Sequence, residues 1–259
     1  MANEKLKIDV RRSKILEILN RDGQVRVTEL SKWLNTTPVT IRSDLDSLER
    51  DGFLERVSGG AVQTVKNYYN LDFLQRKQAN SVVKKRLAAA VSDMIHDGDT
   101  LLINSGTTTY FVAVELKKHK NLNIVTNSLS VAVELGAHPT FRVILLGGDI
   151  NAQYAFTYGS DAQEQLGKYR ADYAILSMDG VCPESGLTTY HAEEAVMDRL
   201  MMRRAKRTIV AAESRKLGKE GFSHVCGAEC VSCLVTDGAA DRTLTSKLRT
   251  LGVELKYGG

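Results

Sequence analysis

Cysteine is scarce in this chain of 259 residues: Cys182, Cys226, Cys230 and Cys233 are all there is, and three of them cluster late. That is not a disulfide framework, and the thiols are expected to be reduced, as in cytoplasm. No apolar run approaches the roughly 20 residues that cross a bilayer. Residues 1–10 place Glu4 and Asp9 among lysines and have no apolar centre, so they do not read as a secretory signal. Polybasic segments are missing too. Residues 1–66 carry 12 Lys and Arg against 10 Asp and Glu, and residues 67–259 carry 23 against 21. Nucleic acid would therefore be held by a local patch and not by bulk charge. No internal repeat or low-complexity tract stands out. With 43% hydrophobic and 25% charged residues, general disorder and collagen-like sequence are excluded. The length predicts one large domain or two smaller ones.

Residues 1–62 read as helices closed by a turn-rich end. Ile15, Ile18 and Leu19 form one stripe of a helix that ends at Asp22-Gly23. Val25 and Val27 alternate with polar residues in a strand-like connection. Thr28 is the expected N-cap of a short helix carrying Leu30, Trp33 and Leu34. After the turn at Asn35-Thr36, Thr37-Pro38 is a strong helix start: a hydroxyl N-cap, then proline at the first position. Ile41, Leu45 and Leu48 make the inner face, and Gly52 stops the helix. Residues 53–62 then read as two short strands around a glycine-containing tip. Two short helices joined by a tight turn are a helix-turn-helix, and the trailing hairpin is a wing. Thr37, Pro38, Thr40, Arg42 and Ser43 give the second helix an uncrowded, hydrogen-bonding front that fits a major groove. Arg12, Thr28, Arg56, Ser58 and Gly59 are further candidate contacts to DNA, for phosphate and register. The competing reading is a three-helix packing module with a solvated third helix.

Residues 63–80 are expected to be a polar linker, and residues 81–259 an α/β domain for effector binding and oligomerisation. A helix is predicted from Ser81 to about His96. Strands rich in Leu, Ile and Val are predicted at 100–104, 123–126, 142–147, 173–177, 208–212, 231–236 and 253–256. Helices separate most of them, which indicates a mostly parallel sheet covered on both faces. Ligands of such sheets bind beyond the carboxyl ends of the strands. The first strand ends in Asn104-Ser105-Gly106-Thr107-Thr108-Thr109, opening into a helix whose amides and hydroxyls suit an oxyanion. The Gly-Lys of a Walker loop is missing, and so are the three glycines of a dinucleotide fingerprint. The next strand ends in Asn127-Ser128, and Gly148 follows the third. Asp179-Gly180 follows the fourth, with Asp179 able to take a sugar hydroxyl. Lys216 follows the fifth, where it is expected to neutralise a phosphate. The bland readings are a hydroxyl-capped helix, a plain turn at Asp179-Gly180 and a solvated Lys216.

The whole chain resembles DeoR-family transcriptional regulators. The resemblance rests on Thr40-Ile41-Arg42-Ser43-Asp44-Leu45, Leu48-Glu49, Gly52 and the wing Arg56-Val57-Ser58-Gly59-Gly60-Ala61. Further along it rests on residues 105–109, Val125-Thr126-Asn127-Ser128, Leu146-Gly147-Gly148, Asp179-Gly180, Gly186-Leu187-Thr188 and residues 214–218. It implies a winged helix-turn-helix on double-stranded operator DNA. It also implies a sensor domain resembling ribose-5-phosphate isomerase that binds a phosphorylated sugar. Three positions depart from the family pattern: Ser43 stands for a second Arg, Ser58 for a His and Asn104 for an Asp.

The alternative is a working sugar-phosphate isomerase. Proton abstraction beside a carbonyl needs a positioned base. The isomerases carry an acidic pair straight after the residues matching Asp179-Gly180. Here Val181 and Cys182 follow, and Glu184 comes later, so no catalytic residue and no cofactor is expected. A zinc site at His224, Cys226, Cys230 and Cys233 is disfavoured, because strand alternation aims Cys230 and Cys233 at opposite faces. Met197, Met201 and Met202 read as core packing. A dimer or tetramer is expected, since paired half-sites lie roughly 34 Å apart or a multiple of that.

Overall fold

The computed structural model describes residues 2–63 and 73–259, and it forms two compact units, Met1–Ser81 and Val82–Gly259. The first contains α1 (Ala2–Asp22), β1 (Gln24–Arg26), α2 (Val27–Trp33), α3 (Pro38–Arg50), β2 (Leu54–Val57), β3 (Gly60–Gln63) and α4 (Phe73–Gln78). Ile15, Leu19, Leu30, Ile41, Leu45 and Leu48 bring α1, α2 and α3 together over Val25, Leu54 and Ala61 of the sheet. That sheet is antiparallel, in the order β1-β3-β2. The α3 start is as expected: Thr37 Oγ1 accepts from the Thr40 amide at 3.2 Å, and Pro38 follows it. The α2 start is not. Arg26 is its N-cap, without a side-chain hydrogen bond, and Thr28 lies inside the helix, where its carbonyl accepts from Ser31 Oγ. Burial of Val27 pulls the helix start two residues earlier. Trp33 is 58% exposed and does not join the core. Of the expected linker, residues 64–72 lie outside the described residues, and α4 belongs to the first unit.

The second unit is a seven-stranded sheet, ordered β15-β14-β12-β9-β4-β5-β6, in which every neighbouring pair is parallel. Its strands are β4 (Thr100–Ile103), β5 (Asn123–Thr126), β6 (Arg142–Leu145), β9 (Ala171–Leu176), β12 (Ala205–Ala211), β14 (Cys233–Thr236) and β15 (Glu254–Tyr257), the seven read from the sequence. Alternation splits each strand between two cores. Leu101, Ile103, Ile175 and Ile209 pack under α5 (Ser81–Ser92), α6 (Thr107–Leu116) and α7 (Leu129–Gly136). Leu102, Leu176 and Val210 pack under α8 (Ser160–Gly167), α9 (Ala192–Arg204) and α10 (Arg242–Thr250). Met197 and Met201 are fully buried in this second core. Two additions were not expected: the hairpin β7 (Asp149–Asn151) and β8 (Phe156–Tyr158), and a small sheet of β10 (Gly180–Cys182), β11 (Gly186–Thr189) and β13 (Ser223–Cys226). Each of these strands holds at most one Leu, Ile or Val, so no apolar run marks it in the sequence.

The order fixes where a ligand can go. From β4 the chain steps outward through β5 to β6, then crosses back to β9 and steps outward the other way. The switch point lies between β4 and β9, and connections leave it toward opposite faces. A crevice outside the carboxyl ends of these two strands follows from the topology.

Candidate functional site

In the first unit, α3 carries its candidate contacts in solvent. Thr37, Pro38, Arg42 and Ser43 are exposed, Thr40 is half-buried, and Val39 between them is 71% exposed. The wing tip, Ser58-Gly59, is exposed as well. Arg56 behaves differently from its expected role. Its Nε donates to Gly60 O at 3.0 Å, and its Nη1 bonds Asp46 Oδ1 and donates to Arg42 O at 3.3 Å. It ties the wing to α3, so much of its donor set is already spent. Arg12 is likewise engaged: Arg11 and Arg12 both bond the carboxylate of Asp44, which is 2% exposed. This clamp joins α1 to α3. A buried acid in the middle of a helix, with two arginines upstream, was the available signal for it.

At the switch point, the chain after β4 turns into α6 through Gly106. A Cβ on Gly106 would stand 1.9 Å from Ser177 Oγ, so the close approach of the β4 and β9 ends requires glycine. Gly106 supplies no side-chain cap to α6, unlike Thr37 at α3. Thr107 and Thr108, at 5% and 2% exposure, bury this first turn. Thr109 Oγ1 lies 3.0 Å from the carbonyl oxygens of Asn104 and Gly106, which share its single proton. A buried helix start without a side-chain cap leaves amide donors and the positive dipole end for an anion.

Beside this start runs a chain of polar side chains. Lys216 Nζ donates to Met178 O at 2.7 Å and lies 3.5 Å from Asp179 Oδ1. Asp179 Oδ2 accepts from the Tyr190 amide at 3.0 Å. Thr189 Oγ1 is 3.0 Å from Asp179 Oδ2 and 2.9 Å from Glu194 Oε2, and its single proton serves one of them at a time. Ser105 Oγ donates to Glu194 Oε1 at 2.8 Å. Lysine, two carboxylates and two hydroxyls thus link the fifth strand's end to the anion-ready loop. Asp198, one helical turn beyond Glu194, is fully buried; burial, with Glu194 nearby, pushes its carboxyl well above the usual range. Glu194, Asp198 and Thr189 were missed from sequence. The signal was two acids four apart on the stripe of α9 that also carries Met197 and Met201.

The other expected effector residues fall on the same end of the sheet. Asn127 and Ser128 are buried after β5. Asn127 Nδ2 donates to Thr157 O at 3.1 Å, and Ser128 Oγ caps α7 by accepting from the Val131 amide at 3.3 Å. Gly148 is exposed after β6, at the root of the β7–β8 hairpin. Gly180 is buried, where a Cβ would stand 2.2 Å from Lys219 O. Asn104 is 1% exposed and hydrogen-bonds only within the protein in the contacts described below, which departs from its expected role as an effector contact. The positions where an isomerase needs its acids hold Val181 and Cys182 of β10, both buried, while Glu184 pairs with Lys247 on the surface. Among the described residues, no three His, Cys, Asp or Glu side chains group as a metal site. Cys230 lies in a turn, not on β14, and is exposed while Cys233 is buried. A cavity of about 180 Å3 opens at the strands' amino ends, lined by Thr100, Asn123, Arg142 and Arg170; it lies at the wrong end of the sheet for the switch point.

Residues 11–66 match the DeoR-like helix-turn-helix domain, and residues 79–238 match the DeoR C terminal sensor domain. The chain belongs to the DeoR family. Its relatives include the HTH-type transcriptional regulator YulB of Bacillus subtilis, 32% identical over 89% of each chain. A putative aga operon transcriptional repressor of Escherichia coli O157:H7 is 30% identical over 95% of this chain and 92% of its own. The glycerol-3-phosphate regulon repressor of Escherichia coli K12 is 30% identical over 88% of this chain and 90% of its own. Among solved structures, ribose 5-phosphate isomerase A of Methanocaldococcus jannaschii aligns at 14% identity and a TM-score of 0.40, covering 53% of this chain and 55% of that one. This DeoR-family chain is therefore a transcriptional regulator with a helix-turn-helix DNA-binding domain. No helix among the described residues is long and apolar enough to cross a membrane.

Proposed function

We propose that the protein is a cytoplasmic repressor of a sugar-catabolic operon, whose grip on operator DNA is set by a phosphorylated sugar bound at the β4–β9 switch point. The observation that carries this is the buried start of α6, which has no side-chain cap and sits at the topological switch. The phosphate takes the amides and hydroxyls at Thr107 and Thr108, with Lys216 alongside. The sugar hydroxyls take Asp179 and Glu194, whose carboxylates accept from protein hydroxyls. A protein of this plan works as a homo-oligomer, because one helix-turn-helix reads one half-site and a duplex operator presents two. The regulon of glycerol 3-phosphate, under one relative's control, is consistent with a phosphorylated metabolite.

The mechanism is linkage. If the effector changes DNA affinity by some factor, DNA changes effector affinity by the same factor, typically about 5- to 150-fold. Titrating a labelled fragment of the protein's own promoter region, with and without a panel of sugar phosphates, tests this by fluorescence anisotropy. One member of the panel is expected to shift the midpoint. Lys216→Ala, and Thr107→Val combined with Thr108→Val, are expected to bind DNA like wild type while losing that shift. A wild-type response in these variants would move the effector site elsewhere.

A further inference from the structure

The ladder between β4 and β9 ends at Ile103 and Ile175. One residue later the two chains must part, and a side chain takes over the pairing. Asn104 Oδ1 accepts from the Ser177 amide at 3.0 Å, and Asn104 Nδ2 donates to the Ser177 carbonyl at 3.0 Å. The second Nδ2 proton goes to Asp198 Oδ1 at 2.9 Å. Asn104 and Asp198 are each 1% exposed. Asparagine is suited to this place, since it offers an acceptor to one backbone group while donating twice. Asp198 orients it from the far side, from α9. The other oxygen of Asp198, Oδ2, is buried with no hydrogen-bond partner. Nothing in the network around Lys216 and Glu194 needs Asp198 as an acceptor; its one described side-chain hydrogen bond is with Asn104.

We infer that Asn104 and Asp198 act as a positioning pair, which fixes the spacing of the β4 and β9 carboxyl ends and thereby the effector affinity of the crevice between them. Neither residue touches the effector. Asn104 holds Ser177, whose Oγ faces Gly106 at the start of the anion-ready loop. Asp198 acts only through Asn104. This rests on the effector reading given above.

The test compares full-length Asp198→Leu, Asp198→Asn, Asn104→Leu and the double leucine variant. The probes are inorganic phosphate, ribose 5-phosphate and glucose 6-phosphate, with affinity read by calorimetry and the unfolding midpoint read without ligand. Asp198→Leu removes an unsatisfied buried oxygen but leaves one Asn104 Nδ2 proton without its acceptor, so its unfolding midpoint is expected to fall while the protein stays folded at the assay temperature. It is expected to bind the best probe about tenfold more weakly, the worth of one hydrogen bond of about 1.4 kcal/mol. Asp198→Asn still accepts from Asn104 and is expected to recover most of that loss. The double variant is expected to bind no more weakly than Asn104→Leu, because residues acting in series do not add. Asp198→Leu binding like wild type, or losses that add in the double variant, would overturn the pair. If Asn104→Leu fails to fold, the Asp198→Leu and Asp198→Asn comparison still decides. If no probe binds the wild-type protein, the effector reading falls, and the pair's role in affinity falls with it. If wild type and Asp198→Leu bind a probe equally, the pair alone falls.

Discussion

Pro38, Arg42, Ser43 and Ser58 stand in solvent on the first unit, whereas Ser105, Thr107, Thr108 and Glu194 of the second are buried. The contrast fits what each region is proposed to bind. A duplex is a large rigid body that must meet protruding side chains, and its base edges are read one side chain at a time. A small anion needs the reverse: enclosure, backbone amides and a low dielectric. Yet both units steady their contact elements in the same way, with a buried carboxylate between two cations. Asp44 sits between Arg11 and Arg12 in the first. In the second, Glu213 is 4.0 Å from Lys84 Nζ and 3.0 Å from Arg215 Nε. The two differ in depth. Lys84 is fully buried, while the side chains of Arg11 and Arg12 keep 21% and 29% of their exposure.

That difference in depth ranks the largest expected effect. Glu213→Gln removes the carboxylate charge that faces fully buried Lys84, and breaking such a pair costs about 3–5 kcal/mol. Calorimetry is expected to show the second unit's transition falling sharply. Asp44→Asn, whose arginines can reach water, is expected to lower the first unit's transition by less. Equal losses in the two units would mean that depth does not govern them.

The next effects separate recognition from support within the first unit. Arg42→Ala removes an exposed guanidinium from α3, the helix proposed to enter the groove, and is expected to weaken operator binding by about 1–3 kcal/mol, with effector binding untouched. Arg56→Ala removes a tie between the wing and α3, and is expected to cost about 1 kcal/mol of operator affinity. The salt dependence of binding distinguishes them. A lost phosphate contact lowers the slope by about one, whereas loosened support leaves it unchanged. A slope change in Arg56→Ala would return that residue to its expected place on the DNA.

What the sequence could disclose follows the same division. The seven parallel strands and the α3 start were legible because Leu, Ile and Val runs, and a hydroxyl followed by proline, are local signals. The loop at 105–109 was legible because a strand running into hydroxyls at a helix start is local too. Glu194, Asp198 and Asp44 were not, since each acquires its role from partners 32 to 94 residues away. Arg56 was legible as a wing residue, but its direction was not: the wing's short turn aims it at Asp46 and Gly60 instead of outward. The helix start at Val27 went against the best capping residue, Thr28, because tertiary burial outweighs a cap worth about 1 kcal/mol.

The smallest expected effect compares the two ends of the large sheet. At the carboxyl ends, burial and Glu194 raise the Asp198 carboxyl. At the amino ends, hydrogen bonds from Lys206 and Thr100 lower the Asp172 carboxyl to about 2. Their contributions to stability must run oppositely with pH. Folded Asp172 holds its proton more weakly than the unfolded chain does, so its contribution is full above about 4 and is lost as pH falls toward about 2. Folded Asp198 holds its proton more strongly, so its contribution is present in acid and is lost as pH rises through its raised value. Asp172→Asn is therefore expected to lower the unfolding midpoint at neutral pH by less than about 4 °C, since Lys206 is mostly in water. That gap should close as the pH drops from about 4 to about 2. Asp198→Asn should instead gain on wild type as pH rises. Thermal melts across pH check both at once. Parallel pH profiles for the two variants would mean that the buried end and the solvated end of the sheet do not differ in the way their hydrogen bonds and burial require.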